Sequence, residues 1–203
     1  MSPVECWRPS AAKRYEAEVE PIVWSAIVGA DCIVEGSFRF ASFKPEDPSA
    51  TVKVDGEMLY KDHNAYHLGT VLGAVANHPC VKAADVLLYV PDGMKKFAQL
   101  LGGITRKDIA YIERVPGAAD RYSFQFVTEE DEALALSAEF PIICEDVVST
   151  LGSVAGVRAL LPPTARVHSI APLLRGQPQP EYQKGLVDHY LVRRDLPLHI
   201  TAA

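Results

Sequence analysis

The stretch from Phe140 to Leu161, FPIICEDVVSTLGSVAGVRALL, constrains the fold more than any other part of the chain. Phe140, Pro141, Ile142, Ile143 and Cys144 form a short apolar run with β-branched residues, the pattern of a strand buried on both faces. Two adjacent carboxylates follow, Glu145 and Asp146, and then a small-hydroxyl turn, Ser149-Thr150-Leu151-Gly152-Ser153. Beyond it Val154, Val157, Leu160 and Leu161 recur at helical spacing. The unit therefore reads as strand, acidic corner, hydroxyl-rich turn and helix start. A helix start presents unpaired N–H groups and the positive end of the helix dipole, which suit a phosphate. Carboxylates beside an anion site are electrostatically costly unless one ligand wants both, and a sugar phosphate does. Its hydroxyls donate to carboxylates while its phosphate accepts from N–H and O–H groups.

The rest of the chain supplies the surroundings of that unit. A helical pattern runs from Ala11 to Ala30, with Pro21 starting a second piece or a kink. Ile33–Ser42 and Thr51–Val54 alternate as strands around the turn residues Lys44 to Ser49. Asp62–Ala76 reads as a helix capped by Asp62 and ended by Pro79. Val86–Val90 is an apolar strand, Pro91-Asp92-Gly93 a turn, and Met94–Leu101 a helical stripe. A short strand at Ile109–Ile112, a strand at Tyr122–Val127 and a helix at Glu129–Ala138 lead to the acidic unit. Val167–Leu174 and Leu186–Val192 supply the last strands, separated by the Pro- and Gly-containing piece Gly176–Pro180. Strands alternating with helices predict an α/β fold with a parallel sheet covered on both faces. Ligands in such sheets bind at the carboxyl ends of the strands, where the acidic corner falls.

Composition excludes several classes of function. The formal charge of −6 argues against a nucleic-acid or acidic-membrane surface, and no apolar run reaches the roughly 20 residues that span a bilayer. The N-terminal residues lack an apolar signal core, so a cytoplasmic location is expected. Cys6, Cys32, Cys80 and Cys144 are far apart, with no Cys/His pair at zinc-ligand spacing, and read as reduced core thiols. The six histidines are scattered; His63 and His67, four apart, read as a solvated helix face rather than a metal face.

The segment IICEDVVSTLGSV resembles the phosphoribosyl-pyrophosphate (PRPP) signature of the type I phosphoribosyltransferases, an apolar run, an acidic pair, two apolar residues and a Thr/Gly/Ser turn. The order of elements from Ile33 to Arg175 is most similar to the orotate enzymes of that family. The resemblance implies a type I phosphoribosyltransferase-like parallel sheet flanked by helices, with a small N-terminal hood. Residues 1–60 would form the N-terminal helix and hood, and 61–203 the PRPP-binding core with a C-terminal tail. It implies that Glu145 and Asp146 hold the ribose hydroxyls. Val148, Ser149, Thr150, Leu151, Gly152 and Ser153 would wrap the 5′-phosphate, although Leu151 stands where the family has glycine. The pyrophosphate loop becomes Asp92, Gly93, Met94 and Lys95. The hood over the base carries Phe43 and Lys44, with Arg175 beside it, and Phe43 again replaces a glycine. Arg114 takes the place of the mobile catalytic loop's Arg-Lys pair, and that loop, Glu113 to Arg121, has no lysine or histidine.

By the same resemblance the reaction is phosphoribosyl transfer from PRPP to a nitrogenous base, an orotate-like pyrimidine being favoured, with release of pyrophosphate. Mg²⁺ is expected near Asp146 through the substrate, with no metal held directly by the protein, and a homodimer is expected. The departures at Leu151 and in the catalytic loop leave a second reading open, a non-catalytic PRPP- or nucleotide-binding regulatory module on the same fold.

Overall fold

The computed structural model describes residues 9–39, 49–91, 93–148, 152–175, 188–194 and 196. Phe43, Lys44, Asp92, Ser149, Thr150 and Leu151 therefore lie outside the described residues, as does Cys6.

The apolar runs become the centre of a parallel sheet. Strands β3 (Val86–Tyr89), β4 (Asp108–Ile109), β7 (Pro141–Cys144), β9 (His168–Arg175) and β10 (His189–Arg194) lie in the order β10-β9-β7-β3-β4. All neighbouring pairs are parallel. After the acidic pair the chain continues beside β9 as β8 (Val147–Val148). Every residue of β3 and β7 is buried, as strands covered on both faces require.

Helices cover one face. The helix α1 (Pro9–Gly29) packs with α2 (Ala65–Asn77), α3 (Pro79–Ala83) and α4 (Lys95–Thr105) over Leu87, Tyr89, Ile142, Cys144 and Ile170. On the other face Val86, Leu88, Ile143 and Ala171 meet α5 (Glu129–Ser137), α6 (Gly152–Arg158) and a hairpin, β5 (Ile112–Arg114) with β6 (Phe124–Phe126). The alternation of side chains along each strand thus builds a layer on either side of the sheet. The remaining strands, β1 (Ile33–Phe38) and β2 (Ala50–Val54), form an antiparallel ribbon with a bulge between Glu35 and Phe38.

Several local expectations change. The helix α1 runs unbroken through Pro21. Asp62 is not the cap of α2: it opens a separate 3₁₀ turn, Asp62–Asn64, after a first one at Gly56–Tyr60. The buried Asn64 amide fixes that corner by donating to the Ala30 and Met58 carbonyls, at 3.0 and 2.9 Å. Pro79 begins α3 rather than only ending α2, since its missing N–H costs nothing at a first helical position. The single strand expected at Ile109–Ile112 is two. Ile109 pairs with β3, whereas Ile112 turns into the hairpin, held by the Tyr89 hydroxyl, which donates to the Ile112 carbonyl at 3.0 Å. His63 lies in a 3₁₀ turn instead of on the helix with His67, and His67 packs against Gly29 rather than facing solvent.

The helix α5 shows how local chemistry fixes its end. The Thr128 hydroxyl accepts from the Asp131 N–H at 3.1 Å, and four acidic residues fill the first turn, where the helix dipole favours negative charge.

Candidate functional site

The acidic pair breaks one long strand in two. Up to Cys144 the chain pairs with both β3 and β9. Glu145 N–H then donates to the Ile170 carbonyl at 3.1 Å, and Leu173 N–H reaches the Asp146 carbonyl at 3.4 Å. The backbone thus stays tied to β9 while the two side chains leave the ladder at the carboxyl end of β7, at the position where α/β sheets bind ligands.

The carboxyl groups of the pair go to different places. Glu145 is buried, 8% exposed, and its carboxyl accepts from the Asp146 N–H at 3.2 Å. Burial first, and then the neighbouring Asp146 charge, hold its proton on well above the usual carboxylate range. Asp146 is only partly buried: its Oδ1 accepts from the Val147 N–H at 2.7 Å, and its Oδ2 faces the backbone of Gly56 and Gly93. A Cβ on Gly56 would lie 2.8 Å from that oxygen and one on Gly93 3.5 Å from it. Both segments lie near Asp146, and at Gly56 the approach is close enough that a side chain would collide with it. Gly93 follows β3, the strand next to β7, so Gly93 and the acidic pair share one end of the sheet.

A narrow cleft opens beside Asp146, lined by Cys32, Val54, Gly56, Tyr60, Phe97 and Asp146 among others. Its free volume is ≈ 20 Å³, room for about one water molecule. Burial, and then the Asp146 charge, push the Tyr60 hydroxyl upward, so it stays a neutral donor. Burial pushes the Cys32 thiol up to about 11, with the Asp55 charge adding to it. Cys144, wholly enclosed, is pushed up to about 12, which fits packing rather than nucleophilic work.

Around this centre the remaining predicted residues sort into two groups. Gly93 and Lys95 are exposed at the start of α4, and Lys95 Nζ lies 5.6 Å from the centre of the Tyr111 ring. Met94, in contrast, is 1% exposed with its side chain in the core, so only its backbone can face the loop. Val148 is buried, and Gly152 and Ser153 open α6. Arg175 is buried too: its Nε donates to the Leu196 carbonyl at 2.9 Å and its Nη2 to the Val52 carbonyl at 2.8 Å. It ties the β1–β2 ribbon to the end of β9, and the cleft lining does not include it.

The hairpin stands over α6. Arg114 lies at the end of β5, where it donates to the Arg121 carbonyl and covers the Phe124 ring at 5.5 Å. Arg121 stacks on Tyr122 at 4.5 Å and donates to its hydroxyl. A Cβ on Gly152 would lie 2.5 Å from Tyr122 Cζ, so the tyrosine ring sits directly against the start of α6. Neither Tyr122 nor Gly56 stands out in the sequence as a site residue. The Asp55-Gly56 turn signal before Met58 was the available hint for Gly56, whereas the Tyr122 contact has none.

No family model matches the chain, and no curated protein matches it in sequence. Solved structures do match. The crystal structure of orotate phosphoribosyltransferase from Aeropyrum pernix superposes with a TM-score of 0.60 at 15% identity, covering 83% of this chain and 93% of that one. The UMP synthase of Leishmania donovani gives a TM-score of 0.55 at 16% identity, covering 86% of this chain and 36% of that much longer one. The chain therefore has the fold of the type I phosphoribosyltransferases, a parallel sheet flanked by helices. Among the described residues no helix is long and apolar enough to cross a membrane.

Proposed function

We propose that this protein transfers a phosphoribosyl group from PRPP to a nitrogenous base and releases pyrophosphate. One observation carries the reading. Asp146, at the carboxyl end of β7, presents a carboxylate oxygen to the glycine loop at the carboxyl end of the adjacent β3. A ribose placed there donates its hydroxyls to Asp146, while the pyrophosphate meets the N–H groups that open α4, an eleven-residue helix whose dipole favours an anion. An orotate-like pyrimidine is the favoured acceptor, supported by the order of elements and by the likeness to an orotate phosphoribosyltransferase.

The division of labour follows from charge. As pyrophosphate departs, positive charge gathers on the ribose ring and negative charge on the leaving group. Asp146 stabilises the first; backbone N–H groups near Gly93, Lys95 and Arg114 stabilise the second. Glu145 sits behind Asp146 as a neutral partner and fixes its backbone N–H. The substrate's own oxygens would hold Mg²⁺, an oxygen-seeking ion, near Asp146, with no ligand supplied directly by the protein. When bound, that ion neutralises charge on the pyrophosphate. Ligand pockets usually measure about 300–1,000 Å³. The cleft must therefore widen, and the 3₁₀ turn Gly56–Tyr60 is the segment whose displacement uncovers Asp146.

The test is pyrophosphate release from PRPP and Mg²⁺ over orotate, uracil, adenine, guanine and xanthine. Asp146→Asn should lower kcat/KM by about 10²–10³-fold while the circular dichroism spectrum is unchanged. Turnover that survives the double change Glu145→Ala/Asp146→Ala would refute the assignment. One observation favours the second reading, a non-catalytic PRPP-binding module: both arginines of the hairpin are engaged within it, and its tip has no lysine or histidine. PRPP binding by calorimetry with no release for any base would establish that module.

A further inference from the structure

A second cluster of reactive side chains lies at the opposite, amino-terminal end of the sheet. His168 opens β9 and His189 opens β10, while Cys80 projects from α3 and Glu16 from α1. Cys80 Sγ lies 3.0 Å and His168 Nδ1 3.1 Å from the same atom, His189 Nε2. The ligating atoms of Cys80, His168 and His189 all fall within 4.8 Å of one another. Cys80 and His189 are buried, and His168 is partly buried. On its far side His189 Nδ1 meets Glu16 Oε1 at 3.0 Å, and Glu16 is also paired with Lys13 at 2.6 Å.

We propose that Cys80, His168 and His189 form a zinc site in which Glu16 orients His189 from behind.

The proton count supports it. A carboxylate only accepts, so the ring nitrogen facing Glu16, Nδ1, carries a proton, and Nε2 is the His189 nitrogen through which a cation is bound. That one atom faces both a thiol and an imidazole nitrogen. A cation between them is bound by all three at once. Zinc bonds of about 2.3 Å to sulfur and 2.0–2.1 Å to nitrogen put tetrahedral ligand atoms about 3.3–3.6 Å apart, so the two contacts at His189 Nε2 need to lengthen by only about half an ångström or less, with Cys80 and His168 already within 4.8 Å of each other. One thiolate and two imidazoles select zinc over magnesium or calcium, which take oxygen ligands. A carboxylate on the second ring nitrogen of a ligating histidine is the usual outer support of such a site.

The surroundings give an independent sign. His78 is fully buried, with its Nδ1 accepting the Cys80 N–H at 3.2 Å. Its proton is therefore on Nε2, and that atom, 3.5 Å from Glu16 Oε1, makes no hydrogen bond. His78 and His189 thus face the same oxygen of Glu16. At the start of β10 Asp188 is held by the Ser169 N–H at 2.8 Å and by Arg158 at 3.0 Å, which fixes where His189 begins. Among the described residues three side chains supply ligands, and the ion would join α1, α3, β9 and β10 at one point.

The test measures metal directly. Chelator-stripped full-length protein is titrated with Zn²⁺ against a chromophoric competitor and, separately, with Co²⁺ under exclusion of oxygen. The expected result is one ion per chain, with a sulfur-to-cobalt charge-transfer band and the visible bands of four-coordinate cobalt. Cys80→Ser should abolish the charge-transfer band, His168→Ala should weaken zinc binding at least 100-fold, and Glu16→Gln should weaken it about 10–100-fold, the range of an outer support. His63→Ala, an exposed histidine elsewhere, should change nothing. Absence of a stoichiometric ion in the wild-type protein, or a cobalt spectrum without sulfur ligation, would overturn the proposal even if a variant fails to fold.

Discussion

Gly156→Ala tests how the hairpin is seated on α6. Gly152 and Gly156 are one turn apart on the same face of α6, and both meet the β5–β6 hairpin. A methyl group at position 156 would lie 2.7 Å from Phe124 Cε2 and closer still to the Tyr122 backbone carbonyl. Ordinary contact is about 3.4–4 Å, so the hairpin must move by roughly an ångström, and a backbone carbonyl cannot rotate away as a side chain does. Overpacking of this kind costs about 1–3 kcal/mol. Against it, alanine gains about 1 kcal/mol over glycine within a helix. With a backbone atom as the obstacle the cost lies at the upper end, so a net loss of about 2 kcal/mol is expected. Urea denaturation followed by far-ultraviolet circular dichroism reads that number. The same variant should raise the KM for PRPP, because the displaced hairpin carries Arg114 away with it. A variant stabilised by about 1 kcal/mol would show that helix propensity acts alone and that the hairpin does not rest on Gly156.

Two further substitutions separate charge from packing. Burial and Asp146 raise the Glu145 pKa in the folded chain above its unfolded value, so its contribution to stability is intact below about pH 4.5 and is lost as pH rises toward the folded pKa. Glu145→Gln, which cannot ionise, should therefore match the wild type near pH 4 and gain in Tm over it as the pH is raised to 8; a constant difference across that range would show that the carboxyl is not held protonated. Arg114→Ala should lower kcat by about 10²–10³-fold with little effect on Tm, since Arg114 is exposed; unchanged kcat would remove the hairpin from the chemistry.

What the sequence made legible was whatever physics writes locally. The runs Val86–Val90 and Phe140–Cys144 have no polar face to expose, so they could only be interior strands, and β3 and β7 are adjacent in the sheet. The acidic pair was readable for the same reason, because two carboxylates at a strand end have few structural uses. Contacts between distant segments left no local trace. The bend that splits the strand expected at Ile109–Ile112 depends on the Tyr89 hydroxyl, twenty-three positions away, and the corner after Tyr60 depends on Asn64 reaching the Ala30 carbonyl. Glu145 and Asp146 looked equivalent in sequence, yet one backbone step at the end of β7 buries the first and presents the second.

The histidines make the same point most sharply. Spacing rules find a metal site only when its ligands share a helix or a turn, and His168 and His189 are separated by a whole strand connection. A parallel sheet brings the amino ends of successive strands to one edge, so residues that open β9 and β10 become neighbours whatever lies between them. The carboxyl ends of β7 and β3, in the same sheet, are where the acidic pair and Gly93 meet. One topology therefore gathers oxygen donors at one end of the sheet and a thiol with imidazoles at the other. On the zinc assignment the ion fixes α1 to the sheet at the end away from the acidic pair, and removing it should lower Tm more than it changes the affinity for PRPP.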